Sequence, residues 1–170
     1  MPEHIRKKLL QEIETLEYEL NHELPKELKK AVAMGDLSEN AEYHMAKQRQ
    51  EYVRARLGQL KKRMGELSLI NLSNIPRDRA GLGSLVSVHD QSKDEKIEYQ
   101  LVTSEETDVA AGKISTTSPI GRALMGKREG DTTTVVTPSG KRELTVLKLK
   151  TIHDLEQEAT AGNKGDSEGA

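Results

Sequence analysis

A chain of 170 residues that is 34% hydrophobic, 32% charged and 2% aromatic, with neither Trp, Phe nor Cys, carries little bulky apolar volume. It can form no disulfide, thiolate metal site or cysteine nucleophile. Its formal charge of −2 is uneven, because residues 154–170 hold five acids and one lysine and leave the rest weakly basic, so net charge singles out no partner. Glu3, Arg6, Lys7 and Lys8 stand where a secretory leader would need an apolar run, and nowhere do about 18 apolar residues follow one another. A cytoplasmic, elongated protein with no membrane span is expected.

In chain order, the first feature is a stripe of Ile5, Leu9, Ile13, Leu16, Leu20, Leu24 and Leu28, spaced by three or four residues with charges between them, which predicts an amphipathic helix. Pro25 interrupts this stripe and cannot donate to the carbonyl of Asn21, so a kink or short break is expected near residues 21–25 and not a stop. Gly35 suits a left-handed helix end, and a second helix is predicted from about Glu39 to Leu67, with Ala41, Met45, Tyr52, Leu60, Met64 and Leu67 along it. Two helices of about 30 residues, roughly 45 Å each, joined by a few residues fold back as a hairpin. The narrow stripes point to an antiparallel coiled coil.

From about Asn71 to Gly83 the composition shifts to Asn, Ser, Pro, Arg and Gly, and residues 76–83 read as a linker. Residues 84–152 carry strand patterns: Val86 and Val88, Ile97 with Tyr99 and Leu101, Thr132 to Val136, and Leu144 to Leu149. The apolar phase of the last run slips between Val146 and Leu147, which predicts a bulge or a strand buried on both faces. Ser118-Pro119 before Ile120 to Met125 reads as N-cap and first position of a short helix. The fold class is therefore α+β, with a coiled-coil hairpin over residues 1–75 and a small antiparallel-sheet domain with one short helix over 84–152. Residues 153–170, acidic and poor in apolar side chains, read as a disordered tail.

The chemistry gathers at the hairpin tip, residues 35–40. Asp36 and Glu39 stand three apart at a helix start, a spacing that suits a capping box with Asp36 as N-cap and Glu39 at N3. The same pair suits a shared divalent metal: two carboxylates give Mg²⁺ part of its octahedral oxygen shell and leave the rest to water and phosphate. Such a half-site, pushed into another macromolecule, could bring a second metal to a phosphoryl-transfer centre. A cap that orders the carboxylates is compatible with that role. Ser38 and Asn40 can order the loop through backbone hydrogen bonds, and Tyr43 can pack beneath it or stack on a base.

The run Gly35-Asp36-Leu37-Ser38-Glu39-Asn40-Ala41-Glu42-Tyr43-His44 resembles the tip signature of the bacterial Gre transcript-cleavage factors, and Ser118-Pro119-Ile120-Gly121-Arg122-Ala123-Leu124-Met125-Gly126-Lys127 resembles their second signature. The order of the two segments, the paired leucine-rich helices and the Pro138-Ser139-Gly140 turn match as well, over about residues 3–152. The resemblance implies a monomeric transcription elongation factor whose coiled coil enters the secondary channel of RNA polymerase. It implies that Asp36 and Glu39 help hold a second Mg²⁺, shared with the polymerase and the nascent RNA 3′ end, while the polymerase cleaves its own backtracked transcript. It also implies an FKBP-like second domain that docks at the channel entrance. The family's basic patch for RNA is thin here, with Lys47 and Arg49 as candidates on the second helix and Ala31, Val32 and Ala33 on the first.

Two other readings are weaker. Residues 121–127 imitate part of a P-loop, but Arg128 stands where a Ser or Thr would bind Mg²⁺. A prolyl isomerase pocket needs clustered aromatics, and residues 84–152 hold only Tyr99. A Gre-like inhibitor that occupies the channel without activating cleavage remains the alternative to a cleavage factor, and the presence of both tip acids favours the latter.

Overall fold

The computed structural model describes residues 3–164 and divides into two compact units, one ending at Asn71 and the other beginning at Leu72. The first is a helical hairpin. Its outgoing arm comprises α1 (Glu3–Tyr18), a five-residue π segment (Glu19–Glu23) and α2 (Leu24–Ala33), and its return arm is α3 (Ala41–Ser68). The π segment is where the chain accommodates Pro25. The N–H of Leu24 reaches the carbonyl of Glu19, and this one wide turn lets the helix continue past a residue that cannot join the ordinary ladder.

Ile5, Leu9, Ile13, Leu16 and Leu24 from the outgoing arm pack on Val53, Leu57, Leu60 and Leu67 of α3. Each such side chain, removed from water, stabilises the hairpin by roughly 1.5–3 kcal/mol. The α3 face differs from the expected one in its first half. Ala46, Val53, Leu60 and Leu67 recur every seven residues and are buried, as is Leu57, whereas Met45 and Tyr52 stand one position off that seam and are exposed. The sevenfold spacing outweighs side-chain size, because only residues in that phase keep facing the partner helix. Three cross-hairpin ion pairs, Glu12–Arg56 at 2.9 Å, Glu17–Lys61 at 2.6 Å and Glu19–Arg49 at 2.6 Å, favour antiparallel pairing while contributing little each at the surface.

The second unit is built on five strands, β1 (Leu85–Asp90), β2 (Glu95–Val102), β3 (Lys113–Ser115), β4 (Thr132–Thr137) and β5 (Gly140–Lys150), in the order β3-β2-β1-β5-β4. The sheet is mixed and not wholly antiparallel, since β3 runs parallel to β2. The chain between them loops through two 3₁₀ turns and can therefore return in the same direction. On β5 the register against β1 slips so that Val146 faces Val88 and Lys148 faces Ser87, leaving Leu147 as the extra residue of a bulge at 44% exposure. Val86, Val88, Leu101, Val135, Leu144 and Val146 form the core, and α4 (Pro119–Leu124) adds Leu124 to it.

Two expectations need correction. The stretch 76–83 is not a free linker: Ala80 is buried, its N–H bonds the carbonyl of Lys127, its carbonyl accepts from Gly126, and Gly83 N–H bonds Leu101. Polar composition there serves backbone pairing with the second unit. Residues 152–164 are a further helix, α5 (Ile152–Lys164), and not disordered, while 165–170 lie outside the described residues. A reciprocal cap starts α5: Asp154 N–H donates to Thr151 Oγ1, and the Asp154 carboxylate accepts from Thr151 N–H. His153 anchors the first turn against the carbonyl of Ile75 at 2.8 Å. Composition conceals this helix because what starts it is a four-residue capping pattern.

Candidate functional site

The hairpin loop turns on two consecutive residues with positive φ, Gly35 at +80° and Asp36 at +27°. Gly35 N–H bonds the carbonyl of Val32 and closes α2 in the left-handed conformation that glycine adopts without steric cost. With two residues spent on this reversal, the cap of α3 falls to Asn40 and not to Asp36. Asn40 Oδ1 accepts from Tyr43 N–H at 3.1 Å, while its Nδ2 donates to the carbonyl of Ala31 at 2.7 Å and to that of Gly35 at 3.3 Å. One side chain thus starts α3 and ties it to the end of α2. The capping box of Asp36 and Glu39 is absent from the fold, and sequence reading missed the cap because Asp and Asn are comparably good N-caps.

Neither acid takes part in capping α3. Asp36 and Glu39 are exposed; Ser38 Oγ donates to Asp36 Oδ1 at 2.8 Å, and Glu39 has no hydrogen bond or ion pair among the described residues. His44 Nε2 meets the carbonyl of Ser38 at 3.1 Å, and the half-buried Tyr43 ring sits edge-on to His44, centroids 5.6 Å apart. Ser38, Asn40, Tyr43 and His44 therefore brace the loop from which the carboxylates project.

These donors fit Mg²⁺ in kind, being hard anionic oxygens, and fall short of it in number. Among the described residues no group of three or more His, Cys, Asp or Glu side chains could hold a metal. The loop can offer two ligands to an ion whose other ligands come from elsewhere.

The predicted RNA-contacting cations fare differently. Lys47 is exposed, its Nζ 3.5 Å from Gln50 Oε1. Arg49 is engaged: its Nε and one terminal nitrogen bind the two oxygens of Glu19 at 2.6 and 2.9 Å, and its guanidinium lies 5.1 Å from the Tyr52 ring centroid. The bond to Glu19 raises the Arg49 pKa, and the same bond lowers that of Glu19.

The chain's two units correspond to two family models. Residues 2–68 match the model described as transcription elongation factor, N-terminal, and residues 75–151 match transcription elongation factor, GreA/GreB, C-term. The chain is 38% identical to transcription elongation factor GreA of Clostridium kluyveri over 144 residues, which covers 85% of this chain and 91% of that one. It is 41% identical to GreA of Desulfotalea psychrophila over 145 residues, covering 85% and 90%. Among solved structures it is similar to the GreA factor homolog 1 protein of Thermus thermophilus, at 31% identity over 85% of this chain and 94% of that one, with a TM-score of 0.39.

Proposed function

The chain belongs to the GreA/GreB family of transcription elongation factors, and from that premise we propose that it enters the secondary channel of RNA polymerase hairpin first and stimulates cleavage of the nascent RNA in backtracked, arrested complexes. It works in the cytoplasm, as a monomer, and as an accessory to the polymerase's own hydrolytic activity and not as a separate nuclease. The observation that carries this reading is that the fold braces the tip loop through Asn40 and Ser38 yet leaves the carboxylates of Asp36 and Glu39 exposed.

In the working complex Asp36 and Glu39 are the residues that would hold a second Mg²⁺, jointly with the polymerase and the RNA 3′ end. Such an ion, when bound, acidifies its water and offsets charge on the phosphate under attack. This chain's own contribution is orientation. The bond from Ser38 occupies one oxygen of Asp36 and leaves Oδ2 free, and Asn40 holds both ends of the loop so that the carboxylates need not be ordered on arrival. The second unit, residues 72–164, docks at the channel entrance and supplies much of the binding free energy.

The deciding experiment is RNA cleavage on a stalled, backtracked elongation complex with and without the protein. Stimulated cleavage that depends on Asp36 and Glu39 supports the reading; binding with inhibition and no added cleavage would instead make the chain a channel-blocking relative.

A further inference from the structure

Immediately behind the tip, an open cleft of about 620 Å³ lies against α2 and α3, where Glu27, Lys30, Met34, Glu42, Met45 and Arg49 line it. Four features define it. Ala31 and Ala46 are buried and small, so they form a floor on which the helices leave room. Met34 and Met45, at 66% and 69% exposure, stand over that floor as two flexible apolar walls. Glu27 and Glu42 are exposed and make no hydrogen bond or ion pair among the described residues, although the charge of Glu27 also acts on Arg49. Glu19, the third acid, is already taken by Arg49.

We propose that this cleft receives a cationic side chain, a lysine or arginine presented by a protein surface of RNA polymerase; the proposal rests on the reading that the tip enters that enzyme. Three acids against two bases, one of them committed to Glu19, leave the cleft net negative, which repels a phosphate backbone and suits a cation. The long alkyl stems of Lys and Arg bury well against apolar walls while the charged head stays polar. Methionine adapts its shape to such a stem at little steric cost. The cleft is also continuous with the tip, since Met34 adjoins Gly35 and Glu42 lies in the first turn of α3 beyond Asn40. A cation held in the cleft therefore sits directly behind the loop that carries Asp36 and Glu39. The exposure of Met45, one position off the helix seam, has a use on this reading.

The test uses the full chain and core polymerase, comparing complexes with and without an extruded RNA 3′ end. Glu27→Gln with Glu42→Gln, and separately Met34→Ala with Met45→Ala, should each weaken binding about tenfold in both kinds of complex. The glutamine pair should also flatten the salt dependence of binding, whereas the alanine pair should not. All four side chains are exposed, so helix content by circular dichroism should match the unmodified protein. Glu14→Gln, an exposed acid of α1 outside the cleft, serves as the control. Unchanged affinity in both pairs overturns the proposal. Weakening confined to complexes with extruded RNA also overturns it, because the occupant is then the nucleic acid. Failure of the tip reading looks different: Asp36→Asn would leave cleavage stimulation intact whatever happens at the cleft.

Discussion

The two signature segments, residues 35–44 and 118–127, are equal in length, yet the fold treats them in opposite ways. In the second, nearly every special residue is accounted for by packing. Ser118 caps α4 by accepting from Gly121 N–H and donates to the carbonyl of Ser115, Leu124 is fully buried, and a Cβ on Gly121 would lie 1.9 Å from the Ser115 carbonyl oxygen. In the first, Gly35 and Asn40 are explained by the turn and the cap, but Asp36 and Glu39 are not. Residues whose identity packing already demands carry little information about function. Residues that the fold leaves over, held on a braced loop, carry a great deal.

The strongest way to break this contrast is Gly121→Ala. With a backbone carbonyl in the way, nothing flexible can yield, and the second unit should lose at least about 3 kcal/mol or fail to fold, while the separate hairpin core keeps its helical signal. Thermal unfolding followed by circular dichroism and calorimetry reads both transitions. An unaltered profile would mean that the α4 turn is looser than its geometry implies.

Next in size are Asp36→Asn and Glu39→Gln. Each should reduce cleavage stimulation by about tenfold to a hundredfold, since a neutral amide is a poor Mg²⁺ ligand, with partial recovery at raised Mg²⁺. Because neither residue caps α3, hairpin stability should move by no more than about 0.5 kcal/mol. Rates and melting on the same samples test the separation, and a stability loss without a rate loss would return these acids to a structural role.

Asn40→Ala should have the complementary signature. It removes the cap of α3 and the tie to Ala31, at a cost of about 1–2 kcal/mol, and it should lower cleavage through a disordered loop. Asn40→Asp keeps the cap acceptor but sets a carboxylate oxygen against the carbonyls of Ala31 and Gly35, so it should recover only part of the stability and less of the activity.

The smallest effect concerns a carboxylate that the fold does use. Asp90 is fully buried; burial would raise its pKa, but Arg142, bonded to Oδ2 at 2.7 and 2.9 Å, and the N–H of Ser92 outweigh this and lower it. A group depressed in the folded state stabilises above its unfolded pKa, so this contribution should be full at neutral pH. It should fade as acid carries the pH below about 4 and toward the folded value. Asp154, held down by the Thr151 hydrogen bonds, acts in the same direction at the start of α5. An acid titration of stability in Asp90→Asn, compared with the unmodified chain, should show a flatter profile.

Much of the molecule was legible before its fold. The stripe from Ile5 to Leu24, the break ahead of Pro25, the left-handed Gly35 and the cap at Ser118 are all local effects, set by period, ring closure, chirality or hydrogen bonding within a few residues. Local physics repeats wherever its residues occur, so sequence suffices for it. Spacing and context single out the tip acids, and the fold adds that both are exposed on the loop; the cleavage assay tests their role. What only the tertiary structure decided depends on partners distant along the chain. That Asn40 rather than Asp36 caps α3 goes with its tie to the carbonyl of Ala31, nine residues earlier in the last turn of α2. That Met45 and Tyr52 face water follows from which α3 seam meets the outgoing arm. That Arg49 is a strut on Glu19 follows from the pairing of two helices. In each case the residue has several chemically equal options, and only the position of a distant neighbour makes one of them lowest in free energy.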